Sequence, residues 1–238
     1  MSIPLPDTRA ARGAILARLR EATPPEPRPA PSLAAYHAGP FGRGRLGPRP
    51  DPAALIGPFE AAARGWRADL RHATPADWSA VVRTVLAEHG ARRVAVGCGP
   101  AADPGFMAAL AEVETCRFDR PLEHWKTELF DRIDAGLTTA RAGIADTGTL
   151  LLRPGPDEPR TLSLVPPLHV AVLRASDLFA SLPAAIAAQD LATTGMPTNL
   201  VLVTGPSKTA DIQQVLAFGA HGPKALVIVL VNDLEVSL

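Results

Sequence analysis

Proline is unevenly distributed along this chain of 238 residues, because 12 of its 25 prolines lie within the first 60 residues. Proline fixes φ and lacks a backbone donor, so residues 23–58, which are rich in proline and glycine, are predicted to form a linker or wrapping arm. Residues 1–22 are predicted to contain a short amphipathic helix, since Ile15 and Leu19 recur at helical spacing. Residues 59–238 are predicted to form one compact α/β domain.

Charge and hydropathy exclude several classes of protein. The chain has 24 basic and 24 acidic residues, and this balance argues against a general attraction to nucleic acid. Hydrophobic residues make up 47%, enough to bury a substantial core. No apolar run approaches the roughly 20 residues of a membrane span, and the first ten residues lack the apolar core of a signal peptide. We therefore expect a cytoplasmic protein without a membrane span.

The two cysteines, Cys98 and Cys116, limit the chemistry of metals. Two thiolates cannot supply the four ligands of a usual iron–sulfur cluster or of a cysteine-rich zinc site. We expect no cofactor in this chain, so any cluster chemistry must belong to a partner.

Helix and strand patterns alternate from about residue 75 onward. This rhythm is typical of an α/β fold, here a mixed, mostly parallel sheet flanked by helices. The turn residues of 154–159 predict a hairpin, and hence some antiparallel pairing. Predicted helices cover 75–89, 106–113, 177–189 and 209–217, and predicted strands cover 93–98, 116–118, 149–152, 161–164, 169–173, 200–203 and 225–231.

A loop after the strand 200–203 has the composition of an anion site. Gly205 allows close approach of the backbone, Ser207 offers a hydroxyl and Lys208 a positive charge, and a helix is predicted to begin near Thr209. Ligands of open α/β sheets lie beyond the carboxyl ends of the strands, where this loop is expected. The other interpretation is structural, with a turn at Gly205 and Thr209 as a helix cap. Ser207 replaces the glycine that a Walker A loop requires, which argues against an ATPase.

Two histidines differ in their sequence context. His221 lies in a glycine- and proline-containing loop, where an imidazole with a pKa near neutrality can act as an acid or base. His169 lies within an apolar strand pattern, which favours a structural histidine in the core.

Four motifs in a fixed order carry a resemblance to a known family. They are ADTGTLLL (145–152), SLVPPLHV (163–170), TGPSKTADI (204–212) and GAHGPK (219–224). Together they resemble the lactate-utilisation protein C family, also called the LUD domain. The resemblance runs from the mid-seventies onward, and Asp146 stands where the family pattern leads us to expect Glu.

This resemblance implies a fold like that of sugar-phosphate isomerases and CoA transferases. It also implies a role in bacterial oxidation of L-lactate to pyruvate beside two iron–sulfur subunits, with this chain as the cluster-free member. The expected ligand is a small carboxylate or a phosphate-bearing molecule. The candidate catalytic residues are Asp211 and His221. The candidate ligand-binding residues are Thr147, Gly148, Thr149, Ser163, Thr204, Gly205, Pro206, Ser207, Lys208, Thr209 and Gly222.

Two alternatives stay open at this point. The chain is either an independent binder or enzyme for a phosphorylated or CoA-linked metabolite, or a non-catalytic assembly subunit whose proline-rich arm wraps a partner. The sequence does not decide whether this chain is itself catalytic.

Overall fold

A computed structural model describes residues 9–22, 49–101, 103–195, 197–210, 216–218 and 222–234. The chain divides into two units, Met1–Arg45 and Leu46–Leu238. In the first unit the structure describes one helix, α1 (Arg9–Ala22), at the position of the predicted amphipathic helix. Among the described residues, no helix has both the length and the apolar character needed to cross a membrane.

The second unit is built on a six-stranded sheet in which every neighbouring pair is parallel. Its central strands are continuous apolar runs, as expected for a sheet buried on both faces. In sheet order, the strands are β1 (Asp69–Ala73), β12 (Ala225–Val231), β7 (Leu168–Arg174), β4 (Ala135–Thr139), β2 (Arg93–Val96) and β3 (Glu114–Arg117).

A second sheet has four short strands and mixed pairing. In sheet order, they are β8 (Leu178–Phe179), β5 (Ala142–Ile144), β6 (Thr149–Leu152) and β9 (Val201–Val203). β6 is antiparallel to both neighbours, whereas β5 and β8 are parallel. The chain passes from the first sheet to the second at Ala140 and Arg141, whose N–H groups donate to Val172 of β7 and Leu151 of β6.

Helix α2 (Pro52–Gly65) opens the second unit. The Asp51 side chain accepts a hydrogen bond from the N–H of Ala53, and Pro52 occupies the first turn, where its missing donor costs nothing. Residues 52–58, which the sequence assigned to the linker, are therefore helical. The remaining described helices are α3 (Trp78–Glu88), α4 (Cys98–Ala101), α5 (Pro104–Ala109), α6 (Lys126–Asp131), α7 (Thr161–Leu164), α8 (Leu182–Ala188) and α9 (Leu191–Thr194), with 3₁₀ turns at Leu122–His124 and Ala175–Asp177.

Both faces of the six-stranded sheet are covered. On one face, α3 and α5 bury Val82, Leu86 and Phe106 against the strands. On the other face, α2 and the second sheet bury Phe59 and Leu150, while α6 and α7 cover the part near β2 and β3. The predicted α/β class, with a mostly parallel sheet flanked by helices, is confirmed.

Two local predictions in the middle of the chain are wrong. The segment 161–164 (TLSL) is helix α7 and not a strand, because four residues are too few for their spacing to distinguish the two elements, and neighbouring packing decides between them. The turn 154–159 does not join two paired strands. The hairpin instead closes between β5 and β6, at the residues around Gly148.

The helix predicted over 209–217 is also wrong. Lys208–Ala210 and Leu216–Phe218 form an antiparallel pair, β10 and β11. A short segment has only a weak intrinsic preference for helix, and strand pairing overrides it. Consequently no helix N-terminus follows Ser207 within the described residues 208–210 and 216–218 to hold an anion.

Candidate ligand-binding cleft

A cleft of about 1200 Å³ opens at the carboxyl ends of the parallel strands; we call it the carboxyl-edge cleft. Thr139 of β4, Val172 of β7 and Val231 of β12 contribute to its wall. From β2 the chain runs outward to β3 and then returns to β4 on the opposite side of β2. Ligands of open α/β sheets bind where the strand order reverses in this way, so the cleft occupies the expected position of a site.

The loop 153–159 forms one wall of this cleft and crosses the end of β2. A Cβ atom added to Gly97 would overlap the carbonyl oxygen of Asp157, so the loop approaches the strand more closely than any side chain at position 97 would permit. Within the loop, the N–H of Gly155 donates to the carbonyl of Glu158 at 3.1 Å. This contact turns the loop back toward β4.

Glu158 fastens the loop to β4. Its Oε1 accepts from the backbone N–H of Thr139 at 2.7 Å, and its Oε2 accepts from the Thr139 hydroxyl at 2.8 Å. Burial raises the pKa of Glu158, although the hydrogen bonds from Thr139 and the charge of Arg141 oppose that rise. The carboxyl group therefore holds a wall of the cleft in place.

Four arginines line the same cleft. Within the described part of the chain, their guanidinium groups make no hydrogen bond and no ion pair. They are Arg141, Arg153, Arg160 and Arg174. Guanidinium groups whose donors are not engaged in hydrogen bonds with described residues are suited to bidentate binding of carboxylate or phosphate.

The acidic groups of the cleft have different surroundings. Asp103 caps α5 by accepting from the N–H of Gly105 at 2.7 Å. Asp233 accepts from the N–H of Ser176 at 2.9 Å and from its hydroxyl at 2.7 Å. Burial and the nearby charge of Asp233 raise the pKa of Asp177. Much of the acceptor capacity here is therefore already used by the protein itself.

The TGT motif lies away from this cleft, in the turn between β5 and β6. The hydroxyl of Thr149 lies 2.7 Å from that of Thr147 and 2.9 Å from that of Thr204. Gly148 has φ +64°, and a Cβ atom there would lie 2.6 Å from the carbonyl carbon of Ala62 in α2. These contacts give the motif a packing role at the end of α2.

The GPS motif meets Gly222 and Pro223 of the HGP motif at the opposite edge of the sheet from the cleft. The N–H of Ser207 donates to the carbonyl of Pro223 at 2.8 Å, and Gly222 packs directly against the Ser207 side chain. Pro223 lies just before β12, so this contact is at the amino end of that strand. The expectation that this loop follows a strand of the parallel sheet is wrong, because β9 belongs to the second sheet. Gly205, followed by Pro206, packs on Trp66, whose carbonyl oxygen would lie 2.5 Å from an added Cβ.

The remaining predicted site residues do not lie together in one site. Ser163 is buried, donates its hydroxyl to the carbonyl of Arg160 at 3.0 Å and lines the cleft. Lys208 and Thr209 lie in β10. Asp211 and His221 lie outside the described residues, so their catalytic assignment stays a prediction.

Sequence reasoning did not identify Glu158 or the four arginines as site residues. For Arg141 and Arg174 the available signal was their position at the carboxyl ends of β4 and β7, because chain at the carboxyl end of a buried parallel strand is where sites occur. Arg153, Glu158 and Arg160 follow β6, an antiparallel strand of the second sheet, and most of their segment was interpreted as a hairpin turn.

One other cluster brings together groups that bind metals. Ligand atoms of Glu114, Cys116 and Glu128 lie within 4.8 Å of one another. Arg93 forms ion pairs with both carboxylates, at 2.7 Å and 2.9 Å, and burial raises the pKa of the Cys116 thiol. The donor set is therefore engaged by arginine, which suits a structural cluster better than a metal centre. Cys98 donates its thiol to the carbonyl of Phe118 at 3.2 Å.

These features define an α/β protein with an open parallel sheet and a cleft at its carboxyl edge. The family model of the LUD domain matches residues 61–231, and the chain belongs to this family.

Relatives and a solved structure agree with this assignment. The chain is 42% identical over 175 residues to an uncharacterized protein of Neisseria meningitidis, covering 73% of this chain and 75% of that protein. It is 30% identical over 214 residues to lactate utilization protein C of Deinococcus radiodurans, covering 89% and 87%. A crystal structure of a DUF162 family protein from Deinococcus radiodurans superposes with a TM-score of 0.59 at 26% identity, covering 76% of this chain and 98% of that one.

Proposed function

We propose that this chain is a cytoplasmic, cluster-free subunit that acts with two iron–sulfur partner subunits in the oxidation of L-lactate to pyruvate. In this reaction L-lactate loses two electrons and two protons, and the iron–sulfur clusters of the partners accept the electrons. The observation that carries the proposal is the similarity to lactate utilization protein C of Deinococcus radiodurans over 89% of the chain.

The cysteine content supports the part of the proposal in which the partner subunits, and not this chain, hold the iron–sulfur clusters. Cys98 is engaged with the carbonyl of Phe118 and Cys116 is buried, and two thiols are fewer than a cluster needs. In this proposal the anionic substrate is held near Ser207 and Lys208, with Asp211 and His221 as the groups that move protons.

The test is lactate-dependent reduction of an artificial electron-accepting dye by the two partner subunits, with and without this chain. We expect dye reduction to require the chain, and to fall strongly in His221→Ala and Asp211→Asn variants that still assemble. His124→Ala is the matched control, because the side chain of His124 is exposed and does not line the carboxyl-edge cleft. Equal dye reduction without the chain would contradict the proposal.

A further inference from the structure

We propose that the carboxyl-edge cleft binds a nucleotide-class ligand, with its phosphates held by arginines of the cleft and its base beside Trp78. This site is separate from the loop in which the lactate role places the substrate, and the proposal does not depend on that role.

The first argument is that four arginines from different segments line the cleft with guanidinium donors that other described residues do not engage. Arg141 and Arg153 lie at the ends of neighbouring segments, since the N–H of Arg141 donates to Leu151, two residues before Arg153. Arg160 ends the loop that fastens to β4, and Arg174 ends β7. In the described ranges none of the four guanidinium groups has a hydrogen bond or an ion pair. A phosphate chain, which offers several acceptor oxygens, can use donors contributed by several segments.

The second argument concerns the acids, which outnumber the arginines by one in the cleft wall. Glu158, Asp103 and Asp233 already accept hydrogen bonds from Thr139, Gly105 and Ser176, which fix their orientation. Asp157 and Asp177, the other two acids of the wall, accept no hydrogen bond from a described residue, and burial and the nearby charge of Asp233 raise the pKa of Asp177. Four guanidinium groups carry more donors than these two carboxyl groups can engage, so donors remain for an acceptor-rich ligand.

The third argument is the aromatic part of the wall. Pro75, Trp78 and Phe106 line the cleft, and the Trp78 and Phe106 rings form an edge-to-face pair with centroids 5.0 Å apart. Gly105 packs against the Trp78 ring so closely that an added Cβ atom would overlap it. The indole is therefore held in position by its neighbours, as a surface for a flat ring should be.

The fourth argument is size. Sites for small organic ligands usually enclose about 300–1,000 Å³. At about 1200 Å³, the cleft has room for a base, a sugar and phosphates, whereas L-lactate would leave most of it filled with water.

The experiment is calorimetric titration of the full chain with ADP, inorganic pyrophosphate and adenosine. We expect ADP to bind most tightly, because it contacts both parts of the wall. Arg153→Gln and Arg160→Gln should each weaken binding of ADP and of pyrophosphate about tenfold, the usual effect of losing a charged hydrogen bond. Trp78→Leu should weaken ADP binding and leave pyrophosphate binding unchanged.

The matched control is Arg92→Gln, because Arg92 is an exposed arginine just before β2, at the opposite edge of the sheet. Thermal unfolding of each variant verifies that it is folded, and the exposed Arg160 provides a variant that does not disturb the core. The proposal is overturned if ADP does not bind at millimolar concentration or binds no tighter than pyrophosphate. It is also overturned if the arginine variants bind ADP as well as Arg92→Gln does.

Discussion

The hydroxyl of Thr138 in β4 lies 2.8 Å from Nε2 of His169 in β7, and both side chains are buried. Burial lowers the pKa of His169 to about 4, because the protein interior disfavours the charged imidazole. Within the described residues, Nδ1 of this ring has no hydrogen-bond partner. The histidine assigned to the core from its apolar strand is therefore held there in its neutral form.

This pair predicts a loss of stability in acid. The pKa of the imidazole is lower in the folded chain than in the unfolded chain, so its contribution is complete above about pH 6.5 and is lost as the pH falls toward 4. We expect the loss between pH 7 and pH 5 to be about 2 kcal/mol larger in the wild type than in His169→Gln. Urea unfolding at both pH values measures it.

The control for this prediction is His124→Gln, because the side chain of His124 is exposed. It should lose as much stability in acid as the wild type. An equal loss in His169→Gln and the wild type would show that His169 does not carry the effect.

Glu158 predicts a pH dependence of the opposite sign. Burial raises its pKa above the usual 4.5, so the folded chain holds the proton more tightly than the unfolded chain. Its stabilising contribution is complete below about pH 4.5 and is lost as the pH rises through the folded-state pKa. Glu158→Gln should therefore gain in melting temperature relative to the wild type over that window. Thermal unfolding between pH 4 and pH 8 measures the difference.

Glu158→Ala separates the charge from the hydrogen bonds. It leaves the N–H and hydroxyl of Thr139 without acceptors, and we expect a loss of about 1–3 kcal/mol at pH 4, where the wild type keeps the full contribution of Glu158, and a smaller loss at pH 8. A pH-independent difference between the wild type and Glu158→Gln would count against the raised pKa.

The sequence predicted the main elements of the parallel sheet because its central strands are unambiguous. The run 225–231 is apolar throughout, and it is β12. The helix predicted over 75–89 is confirmed as α3, because its apolar residues recur at helical spacing. The local pattern was sufficient in these segments, because burial on both faces leaves a continuous apolar run and burial on one face leaves a clear periodicity.

The candidate site was harder to predict, because it depends on which sheet each strand joins. The strand 201–203 was correctly predicted, but a local pattern does not reveal that it joins the second sheet as β9. That single choice moves Ser207 from the carboxyl edge to the amino end of β12. The residues of the family motifs were correctly recognised, while their positions relative to the cleft required the tertiary structure.

The hydroxyl contacts of Thr149 predict a structural role for the TGT motif. Thr149→Val removes a buried hydroxyl that contacts both Thr147 and Thr204, and we expect a loss of about 1–2 kcal/mol in urea unfolding. Thr147→Val is the control and should lose less, because Thr147 is exposed and has one of these contacts. Unchanged stability in Thr149→Val would indicate that the hydroxyl serves a ligand instead.

Gly148 predicts the largest effect at this turn. Its φ of +64° is unfavourable for other residues, and a Cβ atom would collide with the backbone of α2 at Ala62 and Ala63. We expect Gly148→Ala to lose about 2 kcal/mol or more, and to melt roughly 5 °C lower. Gly155→Ala, at an exposed position with no atom within 4 Å of the added methyl group, should stay within about 0.5 kcal/mol of the wild type. If both variants had the same melting temperature as the wild type, the close packing of the turn between β5 and β6 on α2 would be disproved.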